Sequence, residues 1–227
     1  MASRIRLFLG NKDHLVRRYT VFLIGLFICS FGVACTTKAG LGTSPVAAIP
    51  YSLALVFPAL SFGNWLILFC GVQILVQIVL LRRNCVISEL VIQGILAFAY
   101  GYLTDFSMYL LHGVEMEHYY GRMIFLLLGC VILALGVYLE LVGDVAMLSG
   151  DAFIKAIAQV AHRPYSNVKI VTDISMSVFA GILCLICLGK LVGVREGTVI
   201  AAFLVGFIIK RYQVWFRRFS QRIIPNL

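Results

Sequence analysis

Apolar residues run unbroken along most of this chain, and polar ones gather in short groups between the runs. Six long apolar segments stand out, at about 19–37, 63–82, 86–110, 121–142, 167–189 and 196–216. Each has roughly the 20 residues that carry a helix across a hydrocarbon core about 30 Å thick, at about 1.5 Å per residue. Two shorter apolar segments, 44–58 and 150–161, have the length of helices that enter a membrane without crossing it. The predicted fold is all-α. It is a polytopic transmembrane helix bundle of six spans plus two short re-entrant helices, forming a single transmembrane domain over 1–227.

The order of segments repeats. Leu23, Gly25, Gly32 and Val33 match Leu127, Gly129, Gly136 and Val137 at an offset of about 104 residues. One residue further on, Ser44 and Ala47 match Ser149 and Ala152, and Phe98 and Gly101 match Phe203 and Gly206. Each half reads long helix, Gly-containing break, short helix, long helix, long helix. Repeat one covers 19–110 and repeat two 121–216. With three spans per half, the second half starts on the opposite side of the membrane. That is an inverted-topology internal repeat, a construction common in secondary transporters.

Composition agrees with the pattern. The chain has 227 residues, of which 61% are hydrophobic and 13% charged, and its mean hydropathy is +0.98. A soluble domain carries about 25% charged residues, so this chain cannot clothe a water-facing surface. The net charge of +9 points to anionic lipid and the positive-inside bias rather than to nucleic acid, because no soluble segment interleaves basic and aromatic residues. With six spans and an internal N-terminus, Arg4, Arg6, Lys12, Arg17, Arg18, Arg82, Arg83, Lys155, Arg163, Lys169, Lys210, Arg211, Arg217, Arg218 and Arg222 fall inside. Lys38, Arg122, Lys190 and Arg195 remain outside, with the acidic loop at Glu115 and Glu117. The expectation is a multipass protein of the bacterial cytoplasmic (inner) membrane with N- and C-termini cytoplasmic. Its first apolar segment is read as an uncleaved span rather than a signal peptide.

The two breaks carry the candidate chemistry. The first reads Gly40-Leu41-Gly42-Thr43-Ser44-Pro45, where glycines permit reversal, Thr43 or Ser44 caps and Pro45 suits a first helical turn. A helix starting at depth aims free N–H groups and a positive dipole end into the protein, which suits an anionic group. The second break, 143–151, adds Asp144 and Asp151. If both face one cavity, its walls suit a zwitterion or an anion moving with a cation. Candidate substrate-binding residues are Gly42, Thr43, Ser44, Asp144, Ser149, Asp151 and Arg195. Ionisable residues within spans are costly and functional by default, so Glu140, Asp173 and Glu196 are candidate coupling or coordinating acids. The structural alternatives are an i,i+4 pair of Lys169 with Asp173 and a helix-dipole role for Glu196.

Metal, cofactor and enzyme signatures are not expected. The four histidines fall in loops or near helix ends, and HExxH, GxSxG and P-loop motifs are absent. The seven cysteines sit in or beside apolar runs as packing residues. Cys184 and Cys187 form a CxxC without partner ligands.

Several runs resemble the bacterial YczE/YitT-like multipass membrane proteins. They are Ala39-Gly40-Leu41-Gly42-Thr43-Ser44-Pro45, Ser61-Phe62-Gly63-Asn64-Trp65, Asp173-Ile174-Ser175 and Leu188 through Thr198. The resemblance covers nearly the whole chain and implies location and architecture, but no catalytic residues. Where many relatives read Ser-Pro-Trp-Asp, this chain has Ser44-Pro45-Val46-Ala47, so an acidic role there does not carry over. The leading expectation is a secondary transporter or exporter of a small polar or anionic metabolite, with its site at the two breaks. The alternatives are a non-transporting accessory or regulatory membrane protein and a passive channel. Expected partners are membrane lipid and a small-molecule solute, no nucleic acid, with a homodimer left open. No cofactor is expected.

Overall fold

The structure, a computed structural model, describes residues 12–82 (side chains from Val16), 86–114 and 116–216. The basic residues Arg4, Arg6, Arg83, Arg217, Arg218 and Arg222, and also Cys85 and Glu115, lie outside the described residues. Eight helices follow one another: α1 (Lys12–Lys38), α2 (Pro45–Val56), α3 (Phe62–Leu81), α4 (Ile87–Leu110), α5 (Tyr119–Gly143), α6 (Ser149–Val160), α7 (Tyr165–Leu188) and α8 (Glu196–Trp215). Six of them are long and apolar enough to cross a membrane, and no strand occurs among the described residues. The chain is a multipass membrane protein.

The polarity of the helices is inside-out relative to a soluble bundle. On α3, Leu68, Val72, Leu75 and Val79 are exposed at spacings of three and four, while Leu66, Cys70, Gln73 and Gln77 are buried on the opposite face. The outward stripe is apolar and the inward one ends in two amides. Lipid accepts the first at no cost, and the second must find partners inside.

At the centre α1 and α5 lie antiparallel. Phe22 faces Gly143, Cys29 faces Gly136, Gly32 faces Leu133 and Thr36 faces Gly129, so numbers rise on one helix as they fall on the other. A Cβ at Gly32 would stand 2.5 Å from Leu133 Cα, and one at Gly136 2.5 Å from Cys29 Cα. Only glycine allows this approach. In lipid, where hydrophobic burial gives helices no drive to associate, such backbone contact supplies the van der Waals attraction instead.

The remaining contacts come in pairs. α4 packs along α1 and α8 along α5; α2 packs on α7 and α6 on α3. Each short helix therefore leans on a long helix from the other half of the chain. α3 also packs closely along α4, whereas α7 and α8 hardly touch. Gly101 of α4 is buried against Gly63 and Ile67 of α3. Gly206 of α8 is exposed, and a Cβ there would meet nothing within 4 Å.

Both short helices start in the middle of the bundle and run out to opposite ends. Val46, in the first turn of α2, lies 3.5 Å from the position of a Cβ on Gly150, in the first turn of α6. Gln73, about halfway along α3, stands beside them. From there α2 runs with α7, through Ala48 and Ile49 against Met176 and Ala180, to Ser52 against Cys184. α6 runs the other way, with Ile154 and Ala158 against Val168. The breaks are the non-helical return limbs, at 39–44 and 144–148. The second is shorter than the sequence suggested, because Ser149 and Asp151 already belong to α6.

Candidate functional site

Thr43 and Gly42 fix the first break. Thr43 Oγ1 lies 2.8 Å from Thr37 Oγ1, both fully buried. Gly42 has φ 103°, a backbone region that is essentially glycine's own, and its Cβ position is occupied by Thr198 and the Arg195 backbone. The Gly197 N–H donates to Leu41 O at 2.8 Å. The break is thus clamped onto the start of α8. Ser44 stands at the N-cap of α2 in extended conformation but makes no side-chain cap, and Pro45 occupies the first turn.

Arg195 and Glu196 are part of that clamp. Arg195 Nη1 donates to Gly40 O at 3.4 Å, and Arg195 pairs with Glu196 at 3.2 Å. An open pocket of about 350 Å³ lies alongside, lined by Lys38, Gly40, Glu117 and Arg122 among others. The structure therefore does not bring Glu196 to Glu140 and Asp173. Neighbours in sequence, Arg195 and Glu196 satisfy each other at the Lys38 end of the bundle.

Asp144 sits at the opposite end. It closes α5 in the left-handed region, φ 43°, with its side chain largely exposed and paired with Arg18 at 3.2 Å. Arg18 also donates to the Gly143 and Asp144 carbonyls at 2.9 and 2.5 Å. Asp144 thus ends a helix and stands apart from the other acids.

Asp151 and Asp173 share Lys169, at 3.4 and 3.8 Å, and Tyr165 Oη donates to Asp151 Oδ1 at 2.9 Å. The i,i+4 pair expected within α7 is present, and α6 adds a second carboxylate to it. Asp173 Oδ1 is buried without a partner. Glu140, on α5, is 9% exposed and its Oε1 also lacks a partner. Cys29 and Tyr100 flank it.

The central polar group includes residues the sequence reading passed over. Ser149 Oγ donates to Gln73 Oε1 at 3.1 Å, and Gln77 Nε2 donates to Gln93 Oε1 at 3.1 Å and to Ser149 O at 3.3 Å. Gln73 Nε2 is buried and has no partner. Three glutamines in apolar helices were the available signal. Carrying no charge, they do not register in a search for ionisable residues. Asp105 of α4 anchors the start of α3 by accepting from Ser61 Oγ and from the Gly63 N–H at 2.7 Å. Cys184 hydrogen-bonds Ser52 in the core while Cys187 is exposed, so the CxxC is split between inside and outside. No metal-ligand cluster occurs among the described residues.

Over 126 residues the chain is 27% identical to the uncharacterized protein YyaS of Bacillus subtilis (strain 168), covering 54% of this chain and 60% of that protein's length. No solved structure matches. The family match carries nothing specific to the YczE/YitT-like proteins: residues 16–214 fit the family of unknown function DUF6198, and the chain belongs to that family.

Proposed function

We propose that this protein is a secondary transporter of a small polar or anionic solute, built from two inverted repeats, 19–110 and 121–216. The solute site lies where α2 and α6 begin. One observation carries the reading: contacts exchange in pairs between the halves, but one pair is far more unequal than the rest. α3 is shut against α4 through Gly63 and Gly101, while α7 stands off α8 and leaves Gly206 open. In an inverted repeat, equivalent parts that take two arrangements supply the two states of alternating access. A state closed at the Lys38 end and open at the Arg18 end is the one this inequality favours. The opposite state would exchange the arrangements, with α8 closing on α7 about Gly206.

Charge supports the orientation. Arg17, Arg18, Arg82, Arg163, Lys210 and Arg211 gather at the end where Arg18 lies, which the positive-inside bias assigns to the cytoplasm. The test is labelling of single cysteines in the 57–61 loop and near Pro164, from each side of the membrane. This reading expects the first to react only from outside and the second only from inside. Both sites reacting from one side would remove the inverted repeat, and with it the proposed mechanism.

A further inference from the structure

We propose that the central site takes a small zwitterion, a solute bearing one carboxylate and one ammonium group. The carboxylate faces the starts of α2 and α6, and the ammonium faces Glu140. The proposal rests on the transport reading for the site's location and adds the chemistry of its occupant.

The donor wall is built from two helix starts and one buried amide. Two twelve-residue helices point their N-termini at one another, and neither has a side-chain cap: Ser44 does not bond inward, and Leu148 has nothing to bond with. The first-turn N–H groups of a helix lack partners within the helix, and its dipole adds about half a positive charge at that end. Beside them stands an independent donor. Gln73 is 2% exposed; its Oε1 is held by Ser149, and its Nε2, without a partner, lies 3.9 Å from the Cβ position of Gly150. An amide donor left empty at such depth is destabilising, and a bound acceptor relieves it.

The acceptor wall is Glu140. Its Oε1 is buried and empty, with Cys29 and Tyr100 at its side. None of the ion pairs among the described residues involves it. Lys169 is occupied by Asp151 and Asp173, while Arg18 and Arg195 are engaged at the two ends. A dianion such as phosphate therefore finds no fixed cation in the middle. A lone carboxylate would meet the helix starts but also Glu140 and Asp151. A zwitterion satisfies both walls at once. Close packing of Val46 against Gly150 keeps the solute small.

The experiment is equilibrium binding to the purified full chain in lipid nanodiscs. Probes are L-alanine, glycine and L-serine, against propionate, which lacks the ammonium, and ethylammonium, which lacks the carboxylate. The best zwitterion is expected to bind at least tenfold more tightly than either single-charge analogue. Gln73→Leu is expected to weaken it at least tenfold, and Gln73→Asn by less. Glu140→Gln is expected to erase the preference over propionate. The ligand-free melting point of each variant reports folding, and the wild-type comparison of the three probe types stands without any variant. Equal binding of propionate and the zwitterions, or no binding of any zwitterion, overturns the proposal. If the side-labelling pattern is as expected in that case, the transport reading survives and only the ligand class falls.

Discussion

Arg18→Ala separates two roles that one side chain plays at the end of α5. The last carbonyls of a helix have no partner within it, and Arg18 donates to two backbone oxygens there, on Gly143 and Asp144, at 2.9 and 2.5 Å. It also pairs with the Asp144 carboxylate at 3.2 Å, where the arginine side chain is 21% exposed and the aspartate 77%. Hydrogen bonds from a charged donor contribute about 1.5–3 kcal/mol each. With partial solvent access, the two carbonyl contacts together are expected to stabilise by about 2–4 kcal/mol. The exposed ion pair contributes only about 0–1 kcal/mol. Arg18→Ala should therefore cost about 2–4 kcal/mol. Asp144→Asn, which keeps a residue tolerant of the left-handed backbone, should cost less than about 1 kcal/mol. Arg18→Lys keeps the charge but not the planar fork, and should recover less than half of the loss. The assay is reversible unfolding in mixed micelles of a mild detergent and dodecyl sulfate, followed by helical circular dichroism. Equal losses for Arg18→Ala and Asp144→Asn would show that the ion pair does the stabilising, and would refute the reasoning.

Three further outcomes follow in the same assay. Gly32→Val or Gly136→Val should disrupt the α1–α5 contact and abolish folding or cost more than about 3 kcal/mol; Gly94→Ala, where nothing lies within 4 Å, should be neutral or stabilise by up to about 1 kcal/mol. Lys169→Met leaves Asp151 and Asp173 without their shared cation, so it should cost more than Asp151→Asn. Adding Asp173→Asn to Lys169→Met should recover part of the loss, whereas strictly additive losses would deny the network. Asp105→Ala should cost about 1–2 kcal/mol by freeing the first turn of α3, with local amide exchange rising at Gly63 and Asn64.

The helices were legible in the sequence because bilayer thickness sets their length and charged or turn residues mark their ends. Pro45, Ser61, Pro164 and Gly189 stand at or next to observed helix ends. The glycines that matched at an offset of about 104, the spacing of Gly32 and Gly136, are the ones that face the other central helix. The site was less legible, for a physical reason. Ionisable residues announce themselves in apolar sequence, so Arg195, Glu196 and Asp144 drew attention, yet each is satisfied at a bundle end by a neighbour or a helix terminus. Gln73 costs less to bury and so stands out less, and its importance depends on Ser149, 76 residues away. Likewise nothing local in the sequence joins Asp105 to Ser61, 44 residues apart.

Under the proposed transport function, the two helix pairs, α3 with α4 and α7 with α8, exchange arrangements as the solute crosses. The direct measurement places spin labels in two double-cysteine variants in a background lacking the native cysteines. One pair spans α3 and α4 near Asn64 and Tyr102, and the other spans α7 and α8 near Asn167 and Phe207. Electron–electron distance distributions are then recorded in nanodiscs. Two populations are expected at each pair, with short α3–α4 distances accompanying long α7–α8 distances, and the balance shifting in opposite directions when a bound solute is added. A single unchanging distance at both pairs, or both pairs widening together, would contradict it.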